Sequence, residues 1–91
     1  MSVKIRIPTQ LRQLTGGSGE IAVEGDTVRE ALASLDALHP GIGDRLLDEN
    51  GALRRFVNLF VADEDVRFLE GLDTPLSAGQ TVSVVPAVAG G

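Results

Sequence analysis

The sequence predicts an α+β domain, a mixed sheet of four or five strands with one main helix on one face. Three patterns carry this reading. Val3-Lys4-Ile5-Arg6-Ile7 alternates apolar and charged residues, as a half-buried strand does. Thr27 followed by Glu30 forms a capping box ahead of an apolar stripe of Val28, Ala31, Leu32, Leu35 and Leu38. Arg55 to Val61, rich in β-branched and aromatic residues, and Thr81 to Val85, rich in β-branched ones, supply the strongest later strands. The 91 residues fit one domain with a modest core, too small for a deep cleft between lobes. The expected division is a folded domain over 1–85 and a flexible tail over 86–91.

Pro8 ends or edges the first strand. Leu11 and Leu14 fall near a turn, and Thr15-Gly16-Gly17-Ser18-Gly19 reads as a hairpin loop. Its glycines invite comparison with a phosphate cradle, but no Gly-Lys-Ser/Thr follows, and Glu20 to Glu24 is a strand pattern rather than a helix. His39 precedes Pro40, which disfavours helical geometry and stops the helix, leaving the imidazole on the surface. Gly41 to Leu47 is expected to form a short second helix anchored by Ile42, Leu46 and Leu47, with Asp48-Glu49-Asn50-Gly51 as a turn. Asp63-Glu64-Asp65 should turn the chain into a short strand around Val66-Arg67-Phe68; it lacks the spacing and glycine of a calcium loop. Thr74-Pro75-Leu76 and Ala78-Gly79 are further turns, and Pro86 is expected to end the pairing of the last strand.

Composition narrows the function. A net charge of −5 argues against nucleic-acid binding, which needs a basic surface. No apolar run reaches membrane-spanning length and Met1-Ser2-Val3-Lys4 lacks a signal-peptide core, so a cytoplasmic protein without a membrane partner is expected. With no cysteine and a single histidine, thiolate metal sites, clustered imidazoles and thiol-borne intermediates are excluded; no bound metal or cofactor is expected.

That leaves the terminus. Ala89-Gly90-Gly91 closes a stretch from Pro75 onward without a charged side chain. Gly-Gly is the least hindered peptide and can thread a narrow channel. It also presents an α-carboxylate suited to activation by ATP and transfer to a nucleophile. The same residues also suit a frayed Gly-rich end, which is common in proteins.

Gly79-Gln80-Thr81-Val82-Ser83-Val84-Val85-Pro86-Ala87-Val88-Ala89-Gly90-Gly91 resembles the closing pattern of the MoaD/ThiS family of β-grasp (ubiquitin-like) sulfur carriers: Gly, strand, Pro, apolar spacer, Gly-Gly. Gln80 departs from it, since the family often has an acidic residue there. Ile7-Pro8-Thr9, Leu11-Arg12, Thr15-Gly16-Gly17, Arg55-Phe56-Val57-Asn58, Asp63 to Phe68 and the ending from Pro86 are similar to CysO-type carriers of actinobacterial cysteine synthesis.

The resemblance implies a carrier rather than an enzyme. An E1-like adenylating enzyme would consume ATP to activate the Gly91 carboxylate. Sulfur would then displace AMP, leaving a Gly91 thiocarboxylate for a client such as a pyridoxal-phosphate-containing cysteine synthase. A metal-dependent protease would release the product. Gly90, Ala89, Val88, Ala87 and Pro86 would thread into partners. Other readings are a carrier for a thiazole-synthase-like barrel making thiamin or a natural product, a molybdopterin synthase small subunit, and a ubiquitin-like modifier. Thiamin carriers are generally shorter than a chain with the Gly41–Arg54 loop, and Lys4 is the single lysine through which modifier chains could grow.

Strand parity suggests where partners dock. Val57, Leu59 and Val61 share one face, toward the helix; Phe56, Asn58 and Phe60 share the other. Val85 falls opposite Val82 and Val84. Phe60, Val85 and Phe56 are therefore the expected docking patch near the root of the tail.

Overall fold

The structure is a computed structural model, and it describes residues 2–55 and 57–86. Five strands form one sheet in the order β2-β1-β5-β3-β4: β1 Ser2–Arg6, β2 Glu20–Glu24, β3 Val57–Val61, β4 Glu64–Asp65 and β5 Thr81–Pro86. β1 and β5 run parallel, while β1–β2, β3–β5 and β3–β4 are antiparallel. The helix α1, Val28–Leu38, packs over one face, and α2, Gly43–Leu46, follows it. This is the mixed sheet and helix expected from the sequence.

Alternation does the sorting. On β1, Val3 and Ile5 are wholly buried while Ser2, Lys4 and Arg6 are exposed. β3 buries Val57, Leu59 and Val61 and leaves Asn58 and Phe60 half-buried on the other face. These residues meet Val28, Ala31, Leu32 and Leu35 of α1 in a single core that Ile42 and Leu46 complete. Burial of a side chain such as Leu59 or Ile5 stabilises by about 1.5–3 kcal/mol relative to exposure.

The caps read from sequence are formed. The Glu30 N–H donates to Thr27 Oγ1 at 3.2 Å, and Glu30 Oε1 accepts from the Asp26 N–H at 2.9 Å. His39 closes α1 with an extended φ of −132°, and its N–H donates to the Leu35 carbonyl at 2.8 Å. The turn at Asp48 is an Asx turn: Asp48 Oδ1 accepts from the N–H groups of Asn50 and Ala52.

Four details differ. Leu38 does not continue the buried stripe; it is 59% exposed, beside Ala22–Glu24 of β2, the sheet's edge, where no further strand covers it. Thr9–Thr15, read as a turn, is a 3₁₀ helix closed by Gly16 at φ 65°. Thr15 is its buried anchor, its hydroxyl within hydrogen-bonding distance of the Arg12 and Ser18 carbonyls. The short strand expected at Val66–Phe68 is instead Glu64–Asp65, and Val66–Phe68 is a 3₁₀ turn that the Asp65 carboxylate caps by accepting from the Arg67 N–H. The hairpin turn is thus only Ala62-Asp63, both at positive φ (53° and 66°), as a two-residue primed turn requires. Finally, β5 runs through Pro86, in register with Val57, one residue past the predicted end. Proline is tolerated at this last position because little of the ladder remains to need its missing N–H.

Candidate functional site

The site of interest is the end of β5, from which the Gly-Gly segment departs. β5 is an interior strand held on both sides. Lys4, Ile5 and Arg6 of β1 lie in register with Thr81, Val82 and Ser83; β3 continues the support from Val61–Val82 out to Val57–Pro86. The Lys4 N–H donates to the Gln80 carbonyl at 2.9 Å, and the Gly79 N–H to the Ser2 carbonyl at 2.8 Å, which fixes where the strand begins.

The start of β3, which faces the end of β5, is braced by Arg67. Its guanidinium donates to Asn58 Oδ1 at 2.7 Å and to the Arg54 and Val57 carbonyls, each at 2.9 Å. Arg54 Nε in turn donates to the Asp44 carbonyl at 2.9 Å, tying α2 to the same corner. Two arginines, neither singled out from sequence, thus build the platform beside Pro86. An isolated arginine in a loop gives no sequence signal for such a role. Its partners are mostly main-chain carbonyls that only the fold assembles.

The expected docking patch is partly assembled. Val85 is 44% exposed and Phe60 is half-buried, both on the sheet face away from α1. They are diagonal neighbours, since Asn58 pairs with Val85 and Phe60 with Ser83. Phe60 also lines a surface depression of about 310 Å³ with Arg6, Asp63, Gln80, Thr81 and Ser83. Phe56 lies outside the described residues, as do Ala87, Val88, Ala89, Gly90 and Gly91; Pro86 is placed by its backbone pairing alone. Among the described residues no group of three or more His, Asp or Glu side chains could hold a metal ion. No helix among them is long and apolar enough to cross a membrane.

A five-stranded mixed sheet grasping one main helix, with an interior last strand leading to the C-terminal segment, defines a β-grasp, ubiquitin-like domain. The ThiS family model matches residues 5–91, and the chain belongs to that family. It is 47% identical to the sulfur carrier protein CysO of Mycobacterium tuberculosis over 93 residues, covering all of both chains. Among solved structures, it matches a chain in the Amycolatopsis orientalis BexX/CysO complex with a TM-score of 0.92 and 45% identity, over 98% of this chain and 99% of that one. SAMP1 from Haloferax volcanii matches over the full length of both chains, with a TM-score of 0.84 and 26% identity.

Proposed function

We propose that this protein is a sulfur carrier that bears sulfur as a thiocarboxylate on Gly91. The observation that carries the reading is the full-length 47% identity to a sulfur carrier protein, CysO, in a chain whose family match runs to residue 91.

A carboxylate is a poor electrophile because an oxide would have to leave. Adenylation removes that obstacle. A Gly91 carboxylate oxygen attacks the α-phosphorus of ATP and pyrophosphate departs. A hydrosulfide-level sulfur then adds to the acyl carbon, AMP leaves with that oxygen, and a proton is released. The thiocarboxylate that remains is a nucleophile on a tether, which gives it a high effective concentration at a client's site. The catalytic groups belong to the E1-like adenylating enzyme and to the client. ATP is consumed there, and the carrier acts as co-substrate.

The fold supports this division of labour. β5, paired with β1 over Thr81–Ser83 and with β3 out to Pro86, holds the departure point of the tail in place, and the residues beyond Pro86 can reach on the order of 15 Å when extended. The Ala87-Val88-Ala89 spacer enters a partner's channel without desolvating a charge. Val85 and Phe60, with Phe56, are the docking patch of this reading. The Amycolatopsis orientalis CysO was captured in complex with a protein partner, BexX, which supports a carrier that works by docking. The client is a cysteine synthase, with product released by a metal-dependent protease, as in the CysO-type carriers that the chain resembles. The carrier works in the cytoplasm in this reading.

ATP–pyrophosphate exchange by the adenylating enzyme tests the reading. Exchange should depend on this chain and fall sharply with Gly90→Val, because a β-branched side chain removes conformations that a threaded glycine supplies. Undiminished exchange with that variant would exclude threading through a narrow channel.

A further inference from the structure

We propose that a groove beside the end of β5 docks an acidic, apolar-spaced segment of the protein that takes the tail. The groove has a volume of about 320 Å³; Leu11, Val57 and Val84 line it with apolar surface, and Gln10, Asp44, Arg45 and Arg54 complete the lining. Val57 is the register partner of Pro86, so the groove lies beside the end of β5, at the root of the tail.

Charge identifies the occupant. The chain carries eight cationic side chains against thirteen carboxylates, a net −5. Four of the eight gather at this corner: Arg45 and Arg54 at the groove, Arg55 next to Arg54 at the entry to β3, and Arg67 bonded across the Arg54 and Val57 carbonyls. Elsewhere, Lys4 pairs with Glu20 and Arg29 with Asp73. Among the described residues none of the four corner arginines is in an ion pair. Arg54 and Arg67 spend hydrogen bonds on carbonyl and amide oxygens, which hold the guanidinium groups in place without neutralising them. Asp44 at the groove and Asp65, whose carboxylate accepts from the Arg67 N–H, offset two of the four charges.

An acidic protein thus presents a local cationic corner around an apolar floor, at the root of its tail. Guanidinium groups pair best with carboxylates, bidentately where geometry allows. The floor accepts an aliphatic side chain between them. Such a segment would steer the carrier tail-first onto its partner, while the remaining acidic surface repels other orientations. Only the identity of the protein bearing the segment rests on the sulfur-carrier reading; the groove and its charge do not.

The test titrates the ¹⁵N-labelled full-length chain with a short peptide of alternating Glu and Leu, and with its Lys/Leu counterpart. Saturable shifts should centre on the amides of Leu11, Arg45, Arg54 and Val57, weaken as salt rises, and be absent with the Lys/Leu peptide. Affinity should fall at least tenfold in Arg45→Glu/Arg55→Glu, both exposed and outside the bracing hydrogen bonds. Should that variant fold poorly, Arg45→Gln/Arg55→Gln should still show a clear loss. Shifts centred elsewhere, or unaffected by these changes, would overturn the proposal. So would contacts between Val88 and Leu11 in the free protein, which would assign the groove to the chain's own tail. Concentration-dependent shifts at the same amides without peptide would assign it to a second copy and overturn it too. The exchange assay involves no acidic peptide, so a failure of either reading leaves the other standing.

Discussion

On β5, Val82 and Val84 are 0% and 5% exposed in the core shared with α1, whereas Val85, one residue further on, keeps 44% of its surface in water. β3 repeats the pattern, with Val57, Leu59 and Val61 enclosed and Asn58 and Phe60 half-buried opposite. The two faces therefore use the same strands for different purposes. One face is filled by α1 and holds the domain together; at its margin Val57 and Val84, 3% and 5% exposed, reach the groove beside Leu11. The other is left open beside the departure of the tail, where apolar side chains have no structural need to be. Because a single residue step separates the faces, folding and recognition can be altered independently.

A matched pair of substitutions separates the two faces most sharply. Val84→Asp places a carboxylate in the core without a partner, a cost of several kcal/mol that should abolish the folded state near room temperature. Val85→Asp should change stability by no more than about 0.5 kcal/mol, as exposed substitutions usually do, and instead weaken partner binding. Thermal melting and partner affinity of the two variants decide the matter. If Val85→Asp also unfolds the domain, the open face belongs to the core.

A smaller effect concerns the β3–β4 hairpin at the far end of β3 from the tail. Ala62 sits at φ 53°, where an L side chain is strained. Ala62→Gly should relieve this and stabilise the domain by up to about 1 kcal/mol, less the entropy glycine costs in the unfolded chain. Denaturant midpoints would show it, and partner affinity should not move. A change in affinity would mean that the hairpin is part of the docking face.

The hairpin also shows where sequence reading runs out. Ala-Asp is not a composition that announces a two-residue primed turn, and Val66-Arg67-Phe68 has the apolar-charged-apolar signature of a strand. In the structure Val66 is buried and Phe68 is 85% exposed, because the Asp65 cap and the Arg67 brace wind those residues into a 3₁₀ turn. A cap from Asp65 and the bonds from Arg67 to Asn58, Arg54 and Val57 set that segment, and the alternation of apolar and charged residues does not report them. Where the determinants are local, as in the Thr27 cap, the His39-Pro40 stop and the alternation of β1, β3 and β5, the sequence was sufficient. Gly90-Gly91 in a cysteine-free chain is chemically distinctive before any fold is known, and it lies outside the described residues. The arginine corner was not legible in the sequence, since Arg45, Arg54 and Arg67 come together only when α2, β3 and the turn after β4 are in place.

The central claim, that sulfur travels on Gly91, is tested most directly by fragment mass spectrometry of the full chain after incubation with its adenylating enzyme, ATP and a sulfide source. The intact mass should rise by the difference between one sulfur and one oxygen atom, and the fragments should place that increment on Gly91. An unchanged mass, or an increment on any other residue, would contradict the account.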